Sequence, residues 1–132
     1  MAIIKNVLAD GPTNFVLHIF MEQDGGLGGE LEDYVLVDPV DYGLPKSPTL
    51  KIQKAWHSLV WFDLTLKFGG LVPRPVWTFA RDTGPEVDFC HFGGLSDRGT
   101  PPPSDDNGKV LISTNGFDQI GSQGTLVLAF RK

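Results

Sequence analysis

Apolar and polar residues alternate along this chain in short runs, and glycine, proline, asparagine and aspartate separate the runs. This two-residue period is typical of strands that bury one face, and the separating residues are typical of turns. Glycine and proline interrupt every window with helical spacing. The pattern predicts strands near residues 3–9, 13–21, 33–38, 49–57, 60–68, 74–79, 86–90, 109–114 and 124–131.

The run FDLTLKF (62–68) carries the clearest strand signal. Its apolar side chains take alternate positions and its polar side chains take the positions between them, so one face meets a core and the other meets water. The preceding run LKIQKAW (50–56) has the same period. We predict that the two runs pair as a hairpin through a corner at His57, Ser58 and Leu59.

The run TLVLAFR (125–131) is apolar on both of its faces. Leu126, Leu128 and Phe130 share one face, while Val127 and Ala129 lie on the other. A strand with two apolar faces is either central in a sheet or covered by another subunit. Three glycine- or proline-rich segments, residues 23–33, 95–108 and 115–124, are predicted loops, and loops this long carry function or contact a partner.

Length and composition indicate one globular domain, residues 1–132, and the strand runs separated by turn residues predict an antiparallel sandwich or barrel. The net charge of −5 and the absence of a lysine and arginine cluster disfavour a nucleic acid partner. A single cysteine excludes an internal disulfide bond. The first residues lack the apolar region of a secretory signal, and no apolar run approaches the ~18 residues of a membrane span. We therefore expect a soluble protein that is made in the cytosol.

The stretch DFCHFGG (88–94) brings together an acid, the single cysteine and a histidine. Cys90 and His91 point to opposite faces of an extended chain, so a catalytic pair would need His18 or His57 to approach the thiol. The simpler interpretation is a small buried thiol beside a surface imidazole.

Other motifs are equally weak evidence for chemistry. One cysteine and three scattered histidines are too few for a zinc site. The segments GGLGGELED (25–33) and SDDNG (104–108) resemble calcium loops, but each lacks an aspartate that the calcium motif requires. The serine nucleophile elbow, the phosphate-binding loop and the dinucleotide fingerprint are absent. We predict no metal, no cofactor and no enzymatic activity.

Tryptophan and tyrosine offer a different kind of site. Trp56, Trp61 and Trp77, with Tyr34 and Tyr42, could form a platform that stacks on sugar rings. Trp61 shares the outward phase of its strand, so its ring is the best candidate for exposure. The alternative interpretation is packing between sheets for Trp56 and Trp77, and a subunit contact for Trp61.

The order of these motifs resembles that of small virion structural proteins of tailed bacteriophages. The resemblance rests on ADGPTNFVLHIF (9–20), LKIQKAWHSLVWFDLTLKF (50–68), VWTF (76–79), DFCHFGGL (88–95) and GKVLISTNGFDQIGSQGTLVLAFRK (108–132). It implies an all-β β-sandwich or jelly-roll with long loops, which decorates or cements a capsid, commonly as a homotrimer. It also implies that the protein is made in the cytoplasm of a bacterial host and lies on the capsid surface of the virion.

The resemblance implies that the partners are the major capsid protein and other virion proteins. The residues that we expect at subunit or shell contacts are Ile3, Ile4, Trp61, Pro101, Pro102, Pro103 and Val127. A tail or connector component and a carbohydrate-binding module that uses Trp61 are alternative interpretations. A hydrolase that uses Cys90 is a further one.

Overall fold

The structure is a computed structural model that describes residues 2–23, 30–45, 50–69, 73–81, 86–90, 93–95, 109–118 and 120–132. These residues form an all-β protein, and a strand lies at or close to each position that the sequence predicts. The strands are β1 (Ala2–Asp10), β2 (Asn14–Glu22), β3 (Tyr34–Val37), β4 (Lys51–Val60), β5 (Asp63–Phe68), β6 (Arg74–Phe79), β7 (Glu86–Asp88), β8 (Val110–Asn115) and β9 (Gln123–Arg131). The helix α1 (Pro39–Tyr42) has four residues. No helix within the described ranges has the length and apolar character that a membrane span needs.

The strands form two antiparallel sheets. The five-stranded sheet has the order β1-β2-β9-β4-β7, and the four-stranded sheet has the order β3-β8-β5-β6. Strand β9 pairs with β2 on one side and with β4 on the other. Of the two alternatives for the run at 125–131, the structure therefore shows the central strand.

The pairing is nested along the chain. Strand β2 pairs with β9, β3 with β8, β4 with β7 and β5 with β6, and each pair is antiparallel. The chain thus doubles back on itself as four successive strand pairs. Contacts of β4 with β9 and of β5 with β8 join these pairs into the two sheets. Strand β1 adds to the edge of the larger sheet beside β2.

The predicted hairpin between residues 50–56 and 62–68 is wrong. Strands β4 and β5 lie in different sheets, and residues 57–59 continue β4 instead of forming a corner. The chain leaves β4 at Trp61, which has a left-handed φ of 71°. Phe62 then turns into the core, so the change of sheet takes place within two residues.

One hydrophobic core contains side chains from both sheets. It includes Phe15, Leu17 and Ile19 of β2 and Leu64 and Leu66 of β5, all fully buried. His57 of β4 is buried too, and its ring lies 4.9 Å from the ring of Phe79 in β6. Burial lowers the pKa of His57 because the charged imidazolium loses its hydration.

The acidic segment that begins at residue 30 is held against β8. The Glu30 carboxylate accepts hydrogen bonds from the amide of Gly116, at 2.6 Å, and from the amide of Phe117. The Leu31 amide donates to Thr114 Oγ1 at 2.8 Å. Asp33 forms an ion pair with Lys67 of β5 at 2.8 Å. The described part of this predicted loop is therefore anchored to the four-stranded sheet.

Candidate functional site: the outer face of the larger sheet

The five-stranded sheet has one face on the core and one face turned away from it. Side chains that lie opposite each other on neighbouring strands share a face, and alternate residues of one strand take opposite faces. Because Phe15, Leu17 and Leu128 are buried in the core, their neighbours along each strand point outward. We call this surface the outer face. Its residues include Ile4, Asn6, Asn14, Val16, His18, Phe20, Lys51, Lys54, Trp56, Ser58, Glu86, Asp88, Thr125, Val127, Ala129 and Arg131.

The centre of the outer face is apolar. Val127 of β9 lies between His18 of β2 and Trp56 of β4 in the strand register. Phe20 lies opposite Ile4, whose side chain is 52% exposed, and Trp56 is 36% exposed. Aromatic and aliphatic side chains gathered in this way are typical of the centre of a protein contact surface.

Polar groups surround this centre. Asn6 Nδ2 lies 3.5 Å from His18 Nδ1 on the side of β1. On the opposite side, Lys54 Nζ forms an ion pair with Glu86 at 2.9 Å and lies 5.9 Å from the centroid of the Trp56 ring. The hydrogen bond and the charge of Glu86 raise the pKa of Lys54. The outer face therefore has an apolar centre with a polar rim, which is the usual arrangement of a docking surface.

A cleft of about 460 Å³ lies at one end of the outer face, beside the end of β9. We call it the Arg131 cleft. Val16 and Ala129 contribute apolar surface, while Lys54 and Arg131 contribute positive charge. The remaining residues of its lining are Thr13, Asn14, Gln53, Cys90 and Phe130. The described lining contains no carboxylate, although the chain as a whole is acidic.

Cys90 is exposed on the wall of this cleft, so the expectation of a buried thiol is wrong. Its Sγ lies 3.5 Å from Gln53 Oε1, and its amide donates to Asp88 Oδ1 at 2.8 Å. The hydrogen bond and the negative charge of the Asp88 carboxylate raise the pKa of the thiol, and some loss of hydration adds to this effect. A nucleophilic cysteine needs a shift in the opposite direction, because the thiolate is the reactive form. His91, the next residue in the sequence, lies outside the described residues.

The structure places the predicted contact residues in different regions. Ile4 and Val127 lie together on the outer face, whereas Ile3 points inward and packs against the core. Trp61 is 52% exposed, as its strand phase predicts, but it lies at the crossing between the sheets. Pro101, Pro102 and Pro103 lie outside the described residues.

The interpretation of Trp56 as packing between the sheets is wrong. A β-bulge between Ile52 and Lys54 adds one residue to β4 and shifts the side-chain phase, so that Ala55 turns inward and Trp56 outward. Trp77 of the smaller sheet is 38% exposed, but its ring meets edge-on, at 5.1 Å, the ring of Phe89, which follows β7 of the larger sheet.

Sequence reasoning missed most of the outer face. Val16, Phe20 and Trp56 were not among the predicted contacts. A signal existed for the first two, since the run NFVLHIFME of β2 is apolar on both faces, as the run of β9 is. Trp56 had no such signal because a bulge leaves no mark in the alternation of residues.

The fold defines the class of this protein as all-β, with two antiparallel sheets around one core and a partly exposed apolar region on the outer face of the larger sheet. Within the described ranges, no group of three or more His, Cys, Asp or Glu side chains could hold a metal ion. Comparisons with models of protein families, with curated proteins and with solved structures found no match to this chain.

Proposed function

We propose that this chain is a structural protein of a tailed-phage particle, a capsid decoration or cement protein that binds the shell of the major capsid protein and stabilises it. The observation that carries the proposal is the outer face, which offers an apolar centre and a polar rim on a rigid sheet. The resemblance in motif order supplies the identity of the partner. The mechanism needs contact area and no catalytic group.

The nested strand pairing supports a jelly-roll as the fold. A jelly-roll has eight strands in two sheets and arises when an antiparallel doubled chain rolls up. Strands β2 to β9 supply eight such strands, and their four nested pairs match this scheme. Viral capsid domains are among the proteins that use jelly-rolls, so the pairing favours a virion role. Lectin domains also use jelly-rolls, so the same pairing is consistent with a glycan-binding function.

Stabilisation of the shell follows from mass action. A protein that binds the assembled shell and not the separated subunits stabilises the shell by its binding free energy. A position at which one copy touches neighbouring capsomers achieves this, and a homotrimer would multiply the contacts of each copy. We place the protein on the capsid surface of the virion, after synthesis in the cytoplasm of the bacterial host. Sedimentation of the purified protein tests the trimer.

The test of the proposal uses particles stripped of this protein, to which purified protein is returned. We expect the wild-type chain to bind and to restore resistance to heat. Val127→Asp places an unpaired charge at the apolar centre of the outer face, so we expect its binding to be weaker by at least about tenfold. Val40→Asp is the matched control, because Val40 is 77% exposed on α1 and lies outside the outer face.

Two results would contradict the proposal in different ways. Unchanged heat resistance after the wild-type protein is returned would remove the cement role. Equal binding by Val127→Asp and the wild-type chain, with both folded by circular dichroism, would remove the outer face as the contact. An image of the whole particle separates a capsid position from a tail or connector position.

A glycan-binding module is the second candidate, and the geometry of Trp61 favours it. The ring is half exposed, and the left-handed backbone at φ 71° holds it at the crossing between the sheets. A non-glycine residue in this conformation is strained, and strain of this kind concentrates at functional sites. Glycan-array binding that disappears in Trp61→Ala would favour this function over shell binding.

A further inference from the structure

The Arg131 cleft combines positive charge with apolar surface, and the carboxylates beside it, Glu86 and Asp88, act on Lys54. Lys54 already has Glu86 as its partner. Arg131 forms no ion pair with any carboxylate in the described part of the chain, and it lies on the cleft wall. The neighbouring Lys132 is paired with Asp10, so it contributes little net charge.

A second cation stands directly beside Arg131. Lys51 of β4 is the register partner of Arg131 of β9, and both residues alternate with buried neighbours, Ile52 and Phe130. The two positive side chains therefore share the outward side of the sheet. Like charges directly opposite each other on a sheet destabilise it, and Lys51 also has no carboxylate partner within the described residues. Lys51 does not line the cleft, but an anion bound at Arg131 would reduce this repulsion.

The shape and chemistry of the cleft define the class of ligand. Its volume is that of an ordinary ligand site, and Arg131 presents the planar donor group that carboxylates accept in bidentate form. Val16 and Ala129 suit aliphatic side chains next to the carboxylate. Asn14 and Gln53 supply amide groups that can pair with an extended backbone. Trp56 does not line the cleft, and Phe130, the aromatic residue of the described lining, is buried, so its ring is not exposed to stack on a sugar.

We propose that the Arg131 cleft binds an acidic peptide segment of a partner protein, with Arg131 as the anchor of one carboxylate. The proposal rests on the proposed function for the identity of that partner, the capsid shell. It adds the chemistry of the contact: an acidic strand or tail of the shell subunit, with aliphatic residues between its acids, that lies along the end of the outer face.

The binding test uses titration calorimetry with an acetylated peptide of alternating valine and glutamate. We expect the wild-type chain to bind it, and we expect added salt to weaken the binding because the anchor is a charge pair at the surface. Arg131→Gln should weaken the binding about tenfold, since it removes a charge-assisted hydrogen-bond donor. Lys51→Gln should weaken it less, and Lys109→Gln, which removes one positive charge beside the other sheet, should leave it unchanged.

Three outcomes would overturn the proposal. The first is equal affinity of the wild-type and Arg131→Gln chains for this peptide. The second is equal affinity of the wild-type chain for a peptide with glutamine in place of glutamate. The third is tighter binding of oligogalacturonate than of the peptide, which would assign the cleft to an acidic saccharide. Circular dichroism of each variant verifies that it is folded.

The shell-binding assay can reject this proposal and the proposed function independently of each other. If the Arg131→Gln protein binds the stripped particles as tightly as the wild-type protein does, the cleft is not the shell contact. The decoration role would then remain. A wild-type chain that binds the acidic peptide but not the shell would reject the decoration role while leaving the cleft's ligand class intact.

Discussion

At the scale of single residues, the absence of a Cβ at Gly124 leaves the space that the chain needs where it crosses between the sheets at Phe62. A Cβ at this position would lie 2.6 Å from Cζ of Phe62 and 2.8 Å from Cδ2 of Leu59. Both neighbours are buried, so neither can move into solvent. The ring of Phe62 fills the space that glycine leaves, and this contact fixes the start of β5 against β9.

We predict that Gly124→Ala lowers the free energy of unfolding by about 1 to 3 kcal/mol, because an added methyl group overpacks a filled core. Urea denaturation measures the change. Phe62→Leu removes the nearer of the two clashing atoms, so the double variant should lose less stability than the two single variants together. Additive losses, or a Gly124→Ala chain as stable as the wild type, would show that the close contact does not constrain the crossing.

At the scale of the elements, alternation in the sequence predicted where strands lie but not which strands pair. The period of two records which face of a strand is buried, and it is the same whether the next strand pairs with it or joins the opposite sheet. The prediction of a hairpin through residues 57–59 was wrong for this reason. The predicted direction of the Trp56 side chain was wrong because of the bulge at Gln53. The bulge depends on the pairing of β4 with β9, and residues close in sequence do not determine this pairing.

The position of the outer face was predictable in part for a related physical reason. The outward, apolar position of Val127 follows from the two apolar faces of β9, and the same test applied to β2 would have pointed to Phe20. The Arg131 cleft had no signal in the sequence. Arg131, Lys51 and Lys54 come from two strands that are far apart in the chain, and only the register brings them together.

A second prediction concerns the segment that precedes β3. Glu30→Gln should lower the free energy of unfolding by about 1 kcal/mol, because the charge that strengthens the hydrogen bonds from Gly116 and Phe117 is lost. Glu32→Gln is the matched control on the same segment. Glu32 is largely exposed and 3.6 Å from Lys67, so its loss should have almost no effect in the same denaturation experiment. Equal losses of unfolding free energy in the two variants would show that the hydrogen bonds to Glu30 do not stabilise this segment.

At the scale of the whole molecule, the two sheets meet across a buried imidazole. His57 packs on Phe79 of the opposite sheet, and burial lowers its pKa below the ordinary value. The unfolded chain therefore binds a proton at a higher pH than the folded chain does. Stability is complete above the ordinary histidine pKa of about 6.5 and falls as the pH drops through it, because the unfolded state gains the proton first.

We accordingly predict that the free energy of unfolding decreases between about pH 7.5 and pH 5, and that His57→Gln reduces this dependence. Urea denaturation at several pH values measures both. Asp63 does not disturb this window: hydrogen bonds from Arg81 lower the pKa of Asp63, so the stability that it contributes is lost only at more acidic pH. An unchanged slope in His57→Gln would mean that another group carries the pH dependence.

The central place of β9 has a consequence for how the protein is made. A ribosome completes β2 and β4 long before it reaches residues 123–131, yet these two strands meet only through β9. Until then, the nascent chain carries two strands whose backbone groups on the facing edges have no partner, beside apolar side chains that have no core. Unpaired strand edges of this kind join other chains readily. Prematurely terminated chains that lack β9 should therefore be recovered in aggregates or as proteolytic fragments, and not as a smaller folded protein.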